Sequence, residues 1–333
     1  MHTLSIGKIR GLQQIATKNG IFEMCAIDHR GSLQTTLEKE LSRKIGYEEM
    51  VQYKLELCEA LAPYSSAVLL DPIYGAAQSI AGGMLPGSKG LLVSIEESGY
   101  QQDPEGRLTT LLEGWSVSKV KRMGGSAVKL LLYYRPDLEE LSKRQLETVR
   151  FVATDCIEHD IPFLVEPICY PLQEENKDTI EFAIKKSGMV IESARKITSI
   201  PIDVLKAEFP ADMRFEKDSG RVLATCRTLT EVSAVPWVLL SAGADYKVFK
   251  EQVKIACQGG ASGFLGGRGI WQEVLCIDDT KKRLKYLQSV AVNRFKELVE
   301  IADKYAVPWY KKLNVAADEL AQLPENWYKN YQE

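Results

Sequence analysis

The stretch Asp203-Val204-Leu205-Lys206-Ala207-Glu208-Phe209-Pro210 is a short, mainly apolar run that contains ionisable side chains. Seven other apolar runs of similar length occur along the chain, and longer amphipathic stretches separate them. Those runs are Phe22–His29, Ala67–Pro72, Gly90–Ser98, Ala127–Tyr134, Pro162–Cys169, Pro236–Gly243 and Gly263–Gly269. Because the runs do not strictly alternate between apolar and polar residues, they indicate parallel strands that are covered on both faces.

The segments between the runs show the spacing of amphipathic helices. Their apolar residues lie three and four positions apart, as in Met50, Tyr53, Leu57 and Leu61. Eight strands that alternate with helices over about 250 residues predict a (β/α)8 TIM barrel of the α/β class. The alternative is an open, doubly wound sheet. Such a sheet normally has a glycine-rich turn after its first strand, where this chain has Asp28-His29-Arg30-Gly31.

The chain is therefore expected to form a single barrel domain over residues 1–333. An N-terminal helix is predicted at about residues 1–20, and a C-terminal helical extension at about residues 280–333. The last part of the extension carries four aromatic residues, which are Trp309, Tyr310, Trp327 and Tyr328. They predict that this part packs on the barrel or on another subunit, and we expect a homo-oligomer.

The composition is that of an ordinary globular enzyme, with 45% hydrophobic and 26% charged residues. The net charge of -3 predicts no general attraction to nucleic acid or to an anionic membrane. No apolar run approaches the roughly 18 residues of a membrane span, and residues 1–20 lack the apolar core of a signal peptide. Seven cysteines without short paired spacings fit a reducing compartment, so we expect a cytoplasmic protein.

Four of the predicted strands carry an ionisable side chain inside an otherwise apolar run. These residues are Asp28, Lys129, Glu166 and Lys206. Barrel active sites gather at the C-terminal ends of the strands, and a buried charge costs several kcal/mol unless it is matched. One interpretation is a structural ion-pair network that fills the barrel. We favour an active site, because a purely structural core is more easily built from valine, isoleucine and leucine.

The two lysines suggest covalent chemistry at a carbonyl group. A lysine amine attacks a carbonyl only when it is unprotonated, so its pKa must fall from about 10.4 toward about 7. Burial and a neighbouring cation both favour that fall, and Lys206 and Lys129 could serve each other in this way. A nearby carboxylate such as Glu166 can move protons while a carbinolamine forms, loses water and is hydrolysed.

A metal ion is the alternative to a lysine for chemistry at a carbonyl group. A catalytic zinc site typically needs two or three histidine ligands on neighbouring strands. Only three histidines exist in this chain: His2 is terminal, His159 lies in a helical stretch, and His29 alone lies at a strand end. The sequence therefore predicts no metal site, and we expect no cofactor.

The last two predicted strands end in small residues that suit a phosphate site. The residues are Ser241, Ala242, Gly243, Gly266, Gly267 and Arg268. Backbone N–H groups in such loops commonly bind phosphate in barrels, and an arginine adds a bidentate donor. Arg30 and Arg135 follow the first and fourth strands and are further cations near the mouth of the predicted barrel, although each could also be a solvated surface arginine.

Five stretches of the chain have long and specific motifs: Ile27–Leu33, Tyr64–Pro72, Ala127–Tyr134, Asp203–Lys206 and Leu240–Gly243. They resemble the class I tagatose 1,6-bisphosphate aldolases, and the likeness runs from about residue 20 to about residue 275. The resemblance implies that Lys206 forms the Schiff base and that Glu166 is the acid/base. It implies further that Asp28 and Lys129 are polar partners at the substrate carbons. It also implies that the Ser241–Gly243 loop and Arg268 bind phosphate.

Some stretches depart from this family. His29 stands where the family usually has glutamine, and Tyr133-Tyr134-Arg135-Pro136-Asp137 stands in place of an acidic run. The stretches Pro236–Leu240 and Gly260–Arg268 look more similar to a sister group, the class I aldolases that cleave 6-deoxy-6-sulfofructose 1-phosphate. The departures cluster where the distal anion of a six-carbon substrate could bind. The candidates for binding this distal anion are His29, Arg30 and Arg135.

The resemblance predicts a Schiff-base lyase that cleaves a ketose 1-phosphate of the tagatose or fructose 1,6-bisphosphate type. Its products would be dihydroxyacetone phosphate and a three-carbon aldehyde. One alternative is a sulfofructose 1-phosphate aldolase, whose aldehyde product carries a sulfonate. The other is a regulatory protein that binds sugar phosphates with little turnover, against which the intact Lys206 and Glu166 argue.

Overall fold

A closed barrel of eight parallel strands forms the centre of the molecule, in a computed structural model that describes residues 4–313, 323 and 325–331. The strands in chain order are β1 Phe22–Ala26, β2 Ala67–Leu70, β3 Gly90–Ser94, β4 Gln101–Asp103, β5 Gly106–Leu108, β6 Ala127–Tyr133, β7 Phe163–Ile168, β8 Val204–Ala207, β9 Trp237–Leu240 and β10 Gly263–Gly266. The pair β4 and β5 forms a separate antiparallel hairpin. The barrel runs in the order β1, β10, β9, β8, β7, β6, β3, β2. Each predicted apolar run contains one barrel strand, and the predicted (β/α)8 barrel is confirmed.

Helices connect the strands and cover the outside of the barrel. They are α1 Ile6–Ile15, α2 Gly31–Leu41, α3 Tyr47–Leu61, α4 Ala76–Ala81, α5 Val117–Arg122, α6 Glu139–Glu158, α7 Ile180–Ile197, α8 Ser219–Val232, α9 Tyr246–Gln258, α10 Arg268–Trp271, α11 Thr280–Tyr286, α12 Val292–Tyr305 and α13 Trp309–Lys312. Local sequence fixes several of their starts. The hydroxyl of Thr179 caps α7, and the carboxylate of Asp218 caps α8, because each accepts a backbone N–H of the first turn.

Side-chain alternation along the strands divides the barrel interior into two layers. The lower layer is a buried apolar cluster, whose strand residues include Met24, Ala26, Leu69, Leu92, Ala127, Leu164, Val204, Val238 and Leu265. Successive side chains of a strand point to opposite faces, so residues two positions further along share the interior. Beyond Ala26, Ala127, Leu164 and Val204, those residues are Asp28, Lys129, Glu166 and Lys206. The upper layer of the interior is therefore ionisable.

Both ends of the chain contribute to the N-terminal end of the barrel. Leu12 and Ile15 of α1 and Trp309 of α13 are buried with the lower apolar layer. The N–H of Trp309 donates to the carbonyl of Gly20. Of the predicted C-terminal extension, residues 314–322, 324 and 332–333 lie outside the described residues, as do residues 1–3 of the predicted N-terminal helix. Among the described residues, no helix is long and apolar enough to cross a membrane.

A buried carboxyl group lies on the outer face of β1. Only 5% of Glu23 is exposed, and its Oε1 has no hydrogen-bond partner among the described residues. Burial and the nearby charge of Asp303 raise the pKa of Glu23 to about 8, although Lys89 opposes the shift. The folded chain therefore retains a proton that the unfolded chain releases at lower pH.

We expect this proton to make the fold less stable as the pH rises from about 4.5 to about 8, by up to about 1.4 kcal/mol per pH unit. Glu23→Gln removes the titration, so it should flatten that slope and stabilise the protein relative to wild type above pH 8. Urea unfolding at about pH 5, 7 and 9 measures both effects. Glu59→Gln, at an exposed position of α3, is the control. An unchanged slope in Glu23→Gln would contradict the assignment.

Candidate active site

Four ionisable side chains meet in the upper layer of the barrel interior. The Nζ of Lys206 lies 2.7 Å from Oε1 of Glu166. The other oxygen of Glu166 lies 2.9 Å from the Nζ of Lys129, which in turn lies 2.7 Å from Oδ2 of Asp28. All four side chains are largely withdrawn from solvent, with at most 9% of each exposed. The structure thus brings together the four residues that the strand pattern singled out.

Glu96 is a fifth member of this cluster, and the sequence reasoning missed it. Its Oε1 lies 2.8 Å from the Nζ of Lys129, and its Oε2 accepts the backbone N–H of Leu131. It stands two residues beyond the end of β3, in register with Leu92 of the lower layer. That register was the available signal, because the alternation of the third strand continues past its last hydrogen bond.

The carboxylates keep Lys129 charged. Burial alone would lower the pKa of Lys129, but Asp28, Glu166 and Glu96 outweigh it and hold that pKa well above its usual range. Burial alone would likewise raise the pKa of Asp28, but Lys129 and Lys206 hold it well below its usual range. Lys129 is therefore a fixed ammonium, and the expectation that Lys206 would lower its pKa is wrong.

The cluster is open to ligands on one side. A cavity of about 550 Å³ lies above it, and all five members of the cluster line this cavity. Binding sites for small molecules commonly have volumes of about 300–1,000 Å³. A purely structural ion-pair network would not need such an opening, so the arrangement favours an active site.

Five of the six predicted phosphate-binding residues also line this cavity: Ser241, Ala242, Gly243, Gly267 and Arg268. Ala242 and Gly243 both adopt positive φ angles, 48° and 71°, which turn the chain sharply after β9. The N–H of Gly267 donates to the Ser241 hydroxyl at 3.3 Å, which joins the two loops. The Nε of Arg268 is buried without a hydrogen-bond partner among the described residues, so it is available to an anion.

Gly266 does not belong to this group, and its predicted role needs correction. A Cβ atom added there would meet Ile270 and the ring of Phe249, at 2.7 and 3.0 Å. The residue therefore faces the surrounding helices and not the cavity, as the alternation of β10 requires. Its small size permits close packing of the helices on the barrel.

His29 lies on the side of the phosphate loops. Its ring packs edge-on against Trp271, with 5.4 Å between ring centres, and a Cβ atom at Gly267 would come within 2.9 Å of its Cε1. Burial lowers the pKa of His29 to about 3; Arg268 adds to this effect and Asp28 opposes it. The ring is neutral at physiological pH, so it cannot supply a positive charge to a distal anion.

The two arginines proposed for the distal anion have different surroundings. Arg30 lines the cavity and donates to the carbonyl of Glu96, while its buried Nη1 makes no hydrogen bond among the described residues but lies 4.0 Å from Oε1 of Glu97. Arg135 is buried, and its guanidinium is bound by Asp137 and Glu175, each with a contact of 2.6 Å. Arg135 is not among the residues that line the cavity, and its donors are already used by carboxylates.

Within the described residues, no group of three or more histidine, cysteine, aspartate or glutamate side chains could hold a metal ion. The carboxylates of the cluster surround an ammonium group at hydrogen-bond distance. Lys129 therefore occupies the position that a cation would need.

Comparison with known proteins extends these observations. The sequence profile of the DeoC/LacD family aldolases matches residues 22–273. Tagatose 1,6-diphosphate aldolase of Lactococcus lactis subsp. lactis is 31% identical over 324 residues, which cover 92% of this chain and 98% of the relative. The protein of the same name from Staphylococcus aureus (strain bovine RF122 / ET3-1) is 30% identical over 323 residues, with the same coverage.

Solved structures are similar in fold. An archaeal fructose 1,6-bisphosphate aldolase has a TM-score of 0.57 at 18% identity and covers 86% of this chain and 98% of its own. A fructose-bisphosphate aldolase from Slackia heliotrinireducens DSM 20476 has a TM-score of 0.59 at 13% identity, with 90% of each chain covered. The family profile and the curated relatives, which these structures match in fold, make the chain an aldolase, an enzyme of the lyase class. The chain belongs to the DeoC/LacD family of aldolases.

Glu96→Gln tests the role of the fifth cluster member. The amide cannot both accept the N–H of Leu131 and neutralise Lys129, so the ammonium should shift. We expect kcat to fall about tenfold to a hundredfold, since small displacements of catalytic groups have effects of this size. Glu59→Gln changes an exposed carboxylate of α3 that does not line the cavity and should keep nearly full activity. Equal activities of the two variants in steady-state assays would count against the role of Glu96.

Proposed function

We propose that this aldolase works through a Schiff base at Lys206 and cleaves a ketose 1-phosphate that carries a second anion at C6. The observation that carries the proposal is the 2.7 Å contact between Lys206 and Glu166 at the floor of the cavity. Lys129 is held as an ammonium, which leaves Lys206 as the cluster's nucleophilic amine. The relatives named tagatose 1,6-diphosphate aldolase support a substrate of this class.

The proposed reaction begins when the unprotonated amine of Lys206 adds to the C2 carbonyl. The carbinolamine then loses water, with Glu166 supplying the proton, and an iminium ion forms. The Glu166 carboxylate then takes the C4 hydroxyl proton and the C3–C4 bond breaks; the electron pair of that bond forms the C2=C3 double bond of an enamine, as the iminium π pair moves to nitrogen. The three-carbon aldehyde departs. Protonation of the enamine at C3 and hydrolysis then release dihydroxyacetone phosphate and the amine.

The fixed charges around the cluster suit these steps. The ammonium of Lys129 and the carboxylate of Asp28 lie 2.7 Å apart and can bind the hydroxyl groups at C3 and C4. Their positions do not have to change during the reaction, which is the basis of electrostatic preorganisation. At the other end, the loops after β9 and β10 and the unused Nε of Arg268 would bind the 1-phosphate.

Lys206→Ala should abolish cleavage, with kcat at least about a thousandfold lower, because no other amine of the cluster can form the iminium. It should also abolish labelling of the protein by borohydride in the presence of dihydroxyacetone phosphate. Lys129→Arg is the matched control, since it removes the other amine of the cluster but keeps the positive charge among the carboxylates, and it should leave Lys206 able to be labelled. Peptide mapping by mass spectrometry identifies the labelled residue. A label on Lys129 in the Lys206→Ala protein would reverse the assignment.

Chelation provides an independent test of the mechanism. The iminium supplies the electron sink for cleavage, so EDTA should change turnover by less than about twofold. The measurement is the initial rate before and after dialysis against EDTA. Activity that disappears on dialysis and returns with zinc or another divalent metal would overturn the Schiff-base proposal.

The identity of the second anion is tested by comparing substrates. Rates are measured side by side with tagatose 1,6-bisphosphate, fructose 1,6-bisphosphate and 6-deoxy-6-sulfofructose 1-phosphate. We expect the bisphosphates to be cleaved, as the names of the relatives suggest. A clear preference for the sulfonate would assign the chain to sulfosugar cleavage and would leave the Lys206 chemistry unchanged.

A further inference from the structure

The hairpin of β4 and β5 joins β3 to β6 and stands opposite the phosphate loops. In the closed barrel, β3 and β6 are neighbours, and they lie diametrically across from the neighbours β9 and β10. A substrate whose 1-phosphate is bound after β9 and β10 therefore extends across the cavity toward β3 and β6. The distal anion should be recognised in this sector.

Arg107 in β5 is surrounded there by three tyrosine rings. Its guanidinium carbon lies 4.6 Å from the ring centre of Tyr100, 4.6 Å from that of Tyr170 and 5.6 Å from that of Tyr133. Contacts of this kind stabilise a cation over an aromatic face. Tyr133 also lines the cavity above Lys206. Arg107 and its three rings, which we call the tyrosine cage, thus adjoin the active-site cavity through Tyr133.

The backbone of Arg107 is fixed from both sides. Its N–H donates to the hydroxyl of the buried Tyr170 at 2.9 Å, and its carbonyl accepts from the Nε2 of the buried Gln145 at 3.0 Å. Gly106 permits this close approach, since a Cβ atom there would lie 2.4 Å from the Tyr170 hydroxyl. The hairpin therefore holds Arg107 in one place in the absence of a ligand.

The guanidinium itself is not neutralised. No other described residue forms a hydrogen bond or an ion pair with the Arg107 side chain. Other arginines nearby differ, since Arg135 is bound by two carboxylates and Arg144 pairs with Asp103 at 2.9 Å. A planar guanidinium with unused donors binds tetrahedral oxyanions well, because two N–H groups can contact two oxygens.

We propose that Arg107 binds the anion on C6 of the substrate and is the residue that selects ketoses charged at both ends. The tyrosine cage orients its guanidinium without neutralising it, and Arg30, which lines the cavity just after β1, contributes a second guanidinium. Phosphate and sulfonate share the chemistry that this contact requires. The inference rests on the proposed function, because it assigns the far end of the same substrate.

The test compares substrates with and without the C6 anion. For wild type and Arg107→Met, kcat/KM is measured with fructose 1,6-bisphosphate, 6-deoxy-6-sulfofructose 1-phosphate and fructose 1-phosphate. We expect Arg107→Met to lose about tenfold or more on the C6-charged substrate that wild type prefers, mainly through KM. The rate with fructose 1-phosphate should change by less than about twofold. Arg107→Lys, which keeps the charge but not the planar fork, should show an intermediate loss.

Arg144→Met is the matched control for the hairpin itself. It removes the ion pair with Asp103 on the outer side of the same hairpin and should leave the preference for a C6 anion intact. Equal losses on all three substrates in Arg107→Met, or no loss on the C6-charged one, would overturn the assignment of Arg107. Absence of borohydride labelling at Lys206 in wild type would instead overturn the proposed function, and with it this inference.

Discussion

The arrangement of this protein depends on one ammonium group held among three carboxylates. Lys129 sits within 2.9 Å of Asp28 and Glu96, which lie just beyond β1 and β3, and of Glu166 within β7. An uncompensated buried charge would cost several kcal/mol, so these groups can be withdrawn from water only together. The ion-pair cluster therefore fixes the relative positions of strands that are distant in sequence, and it leaves one carboxylate oxygen of Glu166 facing Lys206.

The fold could be predicted from the sequence because the strands of a parallel barrel have a simple sequence pattern. Each strand is a short apolar run, and its inward residues follow with a period of two. The same period placed Asp28, Lys129, Glu166 and Lys206 in one layer, since each lies two positions beyond an apolar interior residue. Where the candidate active-site side chains follow the alternation of regular strands, the sequence pattern predicts their positions in the barrel.

Beyond the strands, in the loops, the positions of side chains could not be predicted from the sequence pattern. His29 and Arg30 are consecutive, yet one turns toward the loop after β10 and the other toward the loop after β3, and no periodicity specifies that divergence. Arg135 follows β6 but is bound by Asp137 and Glu175, and the second of these is 40 residues away. The surroundings of Arg107 could not be predicted, because the rings around it come from three separate segments of the chain.

The hairpin between β3 and β6 is a separate two-stranded sheet outside the barrel. It pairs with no barrel strand, and it is anchored through a few side chains such as Tyr170 and Gln145. Its length and sequence can therefore vary over evolution without disturbing the strands that present Lys206 and Glu166. Descendants of one such ancestor could acquire new sugar preferences by exchanging this short insertion, while inheriting an unaltered covalent chemistry.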